Sequence, residues 1–144
     1  MDLDSLYSQI IMEHNKCTHN KGDLQNPTVS ERGYNPSCGD DLNIEFILED
    51  GKIKDAKFKG YGCAISQAST SIMIDLVKGL TIVEATNLAD IFLRMIQKDA
   101  TEEEIEELEE AIAFQNISNM PARVKCAVLA WHTLKEALKN QNLN

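Results

Sequence analysis

The stretch LNIEFILEDGKIKDAKFKGYGC, residues 42–63, decides the fold. Leu42, Ile44, Phe46 and Leu48 alternate with Asn43 and Glu45, the period of a strand with one apolar face. Asp50-Gly51 is a two-residue hairpin signal, because the tight turn needs residues that tolerate positive φ. Residues 54–61 return as a second strand, with Ala56 and Phe58 inward and Lys57 and Lys59 outward. That pattern suits an antiparallel sheet wetted on one face. Across such a hairpin, facing residues have numbers that sum to about 101. Cys38 and Cys63 sum to 101, so the hairpin carries both cysteines to one end of the sheet.

Downstream, AISQASTSIMIDLVKG places Ile65, Ala68, Ile72, Met73 and Leu76 at helical spacing, with Cys63 at the helix N-terminus. Gly79 suits its C-terminal end. Thr81 with Glu84 forms a capping box that opens a helix to about Gln97, and Thr101 with Glu104 forms another. The second box predicts a helix through TEEEIEELEEAI, with Ile105, Leu108 and Ile112 as a narrow apolar stripe. Its glutamates are either a solvated face or a docking surface. Pro121 fits the first turn of a final helix, whose buried face is Val124, Ala127, Val128, Trp131, Leu134 and Leu138. Upstream, Leu3, Leu6, Ile10 and Met12, with Tyr7 beside them, predict an amphipathic helix over 3–14. Residues 17–37 read as irregular, with a short strand around Thr28–Glu31. The sum is an α+β fold, a small antiparallel sheet of about three strands with helices packed on one face. Residues 1–144 show no linker or internal repeat and read as a single domain.

Composition narrows the function. The 144 residues are 43% hydrophobic and 26% charged, an ordinary globular balance. The net charge of −9 leaves no basic face for a phosphate backbone, so no nucleic acid partner is expected. No apolar run approaches the roughly 20 residues that cross a bilayer, so no membrane is expected. The acidic, amphipathic opening MDLDSLYSQIIMEH resembles neither a signal nor a transit peptide, and the expected location is cytoplasmic.

Four cysteines occur, Cys17, Cys38, Cys63 and Cys126. A disulfide framework is not expected in a cytosolic chain of this size. Asp40 lies two residues from Cys38, and Gly39 between them lets the backbone bend. Cys38, Asp40 and Cys63 are therefore placed to share one ion, with Cys126 on the final helix as a fourth ligand. Three thiolates and a carboxylate suit Zn²⁺, and thiolate-rich sites also suit iron–sulfur units. The alternative is three unrelated core cysteines and an aspartate in an Asx-turn. Arg123 shares a helix face with Cys126, where a guanidinium would stabilise a thiolate or a persulfide anion, or simply pair with a glutamate. His14, His19 and His132 are not expected as ligands, and Cys17 has no clear partner.

NPSCGD, GYGCAIS and PARVKCAVLAW, residues 35–40, 60–66 and 121–131, closely resemble the three cysteine motifs of the IscU/NifU-like family, and most of all its SufU branch. The resemblance runs nearly the whole chain. Two details select the branch: Lys125 stands where an IscU-type scaffold has histidine, and a long stretch separates Cys63 from Cys126. A helical insertion at roughly 95–118 accounts for that length. The resemblance implies an IscU/NifU-like fold and zinc held by Cys38, Asp40, Cys63 and Cys126. It implies a sulfurtransferase in which Cys38 takes persulfide sulfur from a SufS-type cysteine desulfurase and passes it to downstream iron–sulfur assembly proteins. It assigns Arg123 an assisting role beside Cys38. The competing expectations are a scaffold that builds and transfers an iron–sulfur cluster, and a purely structural zinc domain. In the loop after the first helix the chain departs from the family pattern, with Cys17-Thr18-His19-Asn20.

Overall fold

The computed structural model describes residues 3–141, with side chains from residue 7 onward. Strands β1 (Val29–Asn35), β2 (Asp40–Glu49) and β3 (Lys52–Tyr61) form one antiparallel sheet in the order β1-β2-β3. The helices are α1 (Leu3–Lys16), α2 (Ala64–Val77), α3 (Ile82–Ile96), α4 (Glu102–Glu106) and α5 (Pro121–Leu138). The α+β expectation holds: helices cover one face of a three-stranded sheet whose other face carries Asn43, Glu45, Lys57 and Lys59. Among the described residues no helix is long and apolar enough to cross a membrane.

The hairpin turns at Asp50-Gly51, with φ of 55° and 75° as a two-residue turn requires. Leu48 faces Ile53, but Ile47 faces Asp55, so the register slips by one at Lys54. The cause is apolar. Ile53 and Ala56 are both fully buried, and residues three apart on a straight strand face opposite ways. The bulge turns both inward. Beyond it facing residues sum to 102, as in Asp41 with Tyr61, and the end of β3 still lies beside the start of β2. At that end Gly60 has φ +124°, and a Cβ there would meet the Asp41 carbonyl oxygen at 2.1 Å.

Leu42, Ile44 and Phe46 of β2 form the floor of the core. α5 packs on β1 and against α2 and α3. Trp131 of α5 stacks on Phe92 of α3, centroids 4.2 Å apart, and its indole N–H donates to Ser69 Oγ of α2 at 3.0 Å. Both capping boxes form, at Thr81–Glu84 and Thr101–Glu104.

Three expectations need correction. First, β1 extends to Asn35, well past the predicted Glu31, because its whole length pairs with β2. Second, Met12 is 58% exposed; Tyr7, Ile10, Ile11 and His14, at i, i+3, i+4 and i+7, make the inward face of α1. The Leu3 and Leu6 side chains lie outside the described residues. Third, TEEEIEELEEAI is not one helix. α4 stops at Glu106, and 3-10 turns follow at Glu109–Phe114 and Ile117–Asn119. Leu108, Ala111 and Phe114 are buried at a spacing of three, the repeat of a 3-10 helix rather than an α-helix.

Candidate metal centre

Asn35 and Asp40 face each other where β1 turns into β2, and residues 36–39 make the connection. Gly39 turns the chain at φ +74°, and the Cys38 N–H closes onto the Asn35 carbonyl at 3.3 Å. Cys38 and Asp40 are thus joined by a turn, not by the extended i, i+2 geometry that the spacing suggests. Cys38 stays exposed while Asp40, the first residue of β2, is fully buried.

The Asp40 carboxylate is held by neutral donors. Oδ1 accepts from the Cys63 backbone N–H at 2.9 Å and the Ser66 hydroxyl at 3.1 Å, and Oδ2 accepts from Asn35 Nδ2 at 3.3 Å. Among the described residues no cationic side chain pairs with it. A buried carboxylate is costly unless it is paired or coordinates a metal. This donor set is therefore suited to a cation.

Cys63 is the N-cap of α2, and its sulfur accepts from the Ser66 N–H at 3.4 Å. Cys126, in the second turn of α5, is 1% exposed, and its sulfur lies 3.0 Å from that of Cys38. Ligand atoms of Cys38, Asp40 and Cys126 all lie within 4.8 Å of one another. The Cys63 sulfur falls outside that group, being turned toward its own helix, yet it interacts with Cys126. The structure thus brings three of the four expected ligands together and sets the fourth beside them. Burial pushes the Cys126 thiol far up, and its hydrogen bonds to Cys38 and Cys63 and the charges of Cys63 and Asp40 add to the rise. A cation among these groups would reverse that balance.

Arg123 is exposed one turn before Cys126 and has no ion-pair partner among the described residues, so the glutamate pairing weighed from sequence is absent. Its charge is felt by Tyr7. The Tyr7 hydroxyl is raised above its ordinary value by burial, lowered by Arg123, and raised by Cys63 and Cys126. That hydroxyl is buried with no hydrogen-bond partner among the described residues. Sequence reasoning missed Tyr7, Ser66 and Asn35. Ser66 was findable, since a capping Cys63 calls for the N–H three residues on. Asn35 and Tyr7 depend on strand pairing and helix packing that no local pattern carries.

Among the described residues, His14 and His132 are not in the group of ligand atoms formed by Cys38, Asp40 and Cys126. His14 bonds to Ser71 Oγ at 2.8 Å and to Glu110 at 3.2 Å, and His132 is lowered by burial and by Lys135.

The profile of the NifU-like N-terminal domain matches residues 6–142. The chain is 42% identical over 134 residues to the iron-sulfur cluster assembly scaffold protein IscU of Thermotoga maritima, covering 93% of each. It is 39% identical over 140 residues to the zinc-dependent sulfurtransferase SufU of Bacillus subtilis, covering 97% of this chain and 94% of that one. Among solved structures it superposes, with a TM-score of 0.87 and 40% identity, on a candidate iron-sulfur cluster assembly scaffold protein for the SUF system from Fervidobacterium islandicum. That match covers 93% of this chain and 97% of the other.

Proposed function

Since the chain belongs to the NifU-like N-terminal domain family, we propose that it is a zinc-dependent sulfur acceptor serving iron–sulfur cluster assembly. Cys38, Asp40, Cys63 and Cys126 would hold the zinc, and Cys38 would receive the sulfur. The observation that carries this reading is an asymmetry of exposure. Asp40 and Cys126 are buried, Cys63 is half-buried in a helix cap, and Cys38 alone stands open to a partner. A carrier needs one accessible thiol on a fixed base, which is this arrangement.

Bound zinc would keep the thiols deprotonated at neutral pH and shield them from oxidation. The chain's own part is to present Cys38. The turn at Gly39 lets its sulfur swing out while Asp40, anchored by three hydrogen bonds, stays. The Cys38 thiolate attacks the outer sulfur of a persulfide on a SufS-type cysteine desulfurase. The partner's S–S bond breaks, its thiolate leaves, and Cys38 carries the persulfide. Arg123 is placed to steady the anion that results. We read the whole chain as one domain, with 95–118 as the insertion and downstream assembly proteins as the recipients.

The test is alanine release from cysteine by the cognate desulfurase, with and without this protein loaded with zinc. A strong rise that Cys38→Ala abolishes is expected. An active desulfurase and a zinc-loaded protein with no rise would overturn the reading. A scaffold role is the second reading, favoured by the Thermotoga maritima relative at 42% identity. It predicts a cluster reconstituted on the same thiolates and passed intact to an apo acceptor.

A further inference from the structure

The fourth cysteine is not partnerless. Cys17 Sγ lies 3.0 Å from His19 Nδ1, and His19 Nε2 lies 3.0 Å from Asp75 Oδ1 of α2. A carboxylate only accepts hydrogen bonds, so Nε2 carries a proton, and in the neutral ring Nδ1 turns its lone pair to the thiol. The chain of thiol, imidazole and carboxylate is complete. Asn20, 1% exposed, holds its far end by donating from Nδ2 to Asp75 Oδ1 at 3.0 Å and to Ser71. Lys57 Nζ donates to the His19 carbonyl at 3.3 Å and ties down the loop. Cys17, His19 and Asp75 are themselves exposed, so the cluster lies at the surface.

From this cluster we infer a second reactive thiol, Cys17, activated by His19 and Asp75, that forms mixed disulfides with small soluble disulfides. A base is needed there. The Cys17 N–H ends α1 on the Glu13 carbonyl, and the negative end of a helix opposes a thiolate. In the step, the Cys17 proton passes to His19 Nδ1 and the sulfur attacks one sulfur of the disulfide. That S–S bond breaks, a new one forms to Cys17, and the leaving thiolate takes the proton from the imidazolium. Cys17 is oxidised and half of the reagent is reduced. Asp75 is 12 residues from Cys63 on the same helix, about 18 Å along its axis, so the site is separate from the candidate metal centre. It stands whether or not that centre binds zinc.

The test is timed reaction of the full chain with cystine, quenched in acid and mapped by peptide mass spectrometry. Cys17 is expected to take the adduct at pH 7, about tenfold more slowly in His19→Gln and less severely slowed in Asp75→Asn. At pH 10, where a thiol ionises unaided, wild type and His19→Gln should converge. A lesion that merely disturbed the loop would not close with pH. Equal rates for wild type and His19→Gln at pH 7, or an unmodified Cys17 while Cys38 reacts, would overturn the inference.

Discussion

Replacing Asp40 by Asn separates its proposed role as a metal donor from its role in the fold. The side chain keeps its shape, and its oxygen still accepts from the Cys63 N–H and the Ser66 hydroxyl. What goes is the charge and the Oδ2 acceptor, whose place the new amide N–H₂ takes opposite Asn35, so that the Asn35 amide must flip to present its oxygen. Three hydrogen bonds to a carboxylate contribute about 1.5–3 kcal/mol each. Burying that carboxylate costs several kcal/mol, and no cationic side chain offsets it among the described residues. The two nearly cancel, so the metal-free variant should unfold within about 1 kcal/mol of wild type, or about 3 °C. Zinc is a different matter. Stabilisation by a ligand grows by about 1.4 kcal/mol for each tenfold in affinity, and exchanging the anionic oxygen donor for a neutral amide should cost at least about tenfold. Thermal melts monitored by circular dichroism, with chelator and then with a small excess of zinc, read both quantities. The reasoning fails if the variant loses several kcal/mol without metal yet keeps the full zinc-induced shift. Asp40 would then be a structural hub and not a ligand.

In Gly60→Ala the new Cβ meets the Asp41 carbonyl oxygen at 2.1 Å from a φ of +124°, and urea unfolding should show a loss of about 3 kcal/mol. Gly39→Ala meets open space and should cost only about 1 kcal/mol from its φ of +74°; an equal loss at both sites would contradict the steric account. Trp131→Phe removes the indole donor to Ser69 but keeps an aromatic ring against Phe92, for an expected loss of about 1–2 kcal/mol by the same assay. Glu104 is lowered to about 2 by its hydrogen bonds, first to Arg94 and then to the Thr101 N–H. Because the folded value lies below the ordinary 4.5, its stabilisation is present above about pH 4.5 and is lost as pH falls toward 2. Wild type and Arg94→Gln should therefore differ in melting temperature at neutral pH and converge in acid.

Local chemistry made much of this fold legible. Asp50-Gly51 announces its turn, and Thr81 and Thr101 announce their caps, because each depends on residues within a few positions. The bulge at Lys54 was hidden, since it answers to the burial of Ile53 and Ala56 against helices far away in sequence. The change to 3-10 turns after Glu106 was hidden for a like reason. Capping set the start at Thr101, and the burial of Leu108, Ala111 and Phe114 set what followed. At the candidate site, strand register brought Cys63 beside Cys38 on paper. The approach of Cys126 depends on how α5 lies across β1 and α2, which no spacing encodes. The partnership of Cys17 with His19 was two residues away, but Asp75 completes it from another helix.

The turn before β2, the first residue of β2 and the second turn of α5 bring together the ligand atoms of Cys38, Asp40 and Cys126, with Cys63 beside them in the cap of α2. A ribosome delivers these parts in order, and Cys126 arrives after the sheet and three long helices have been made. Until α5 has been released and has docked, Cys38 and Asp40 face a gap where the Cys126 thiol belongs. The assembled group is therefore a sign that α5 has docked: a chain that stops short of α5 cannot present it, and on the proposed function a partner that engages only the assembled group would not load sulfur before that docking.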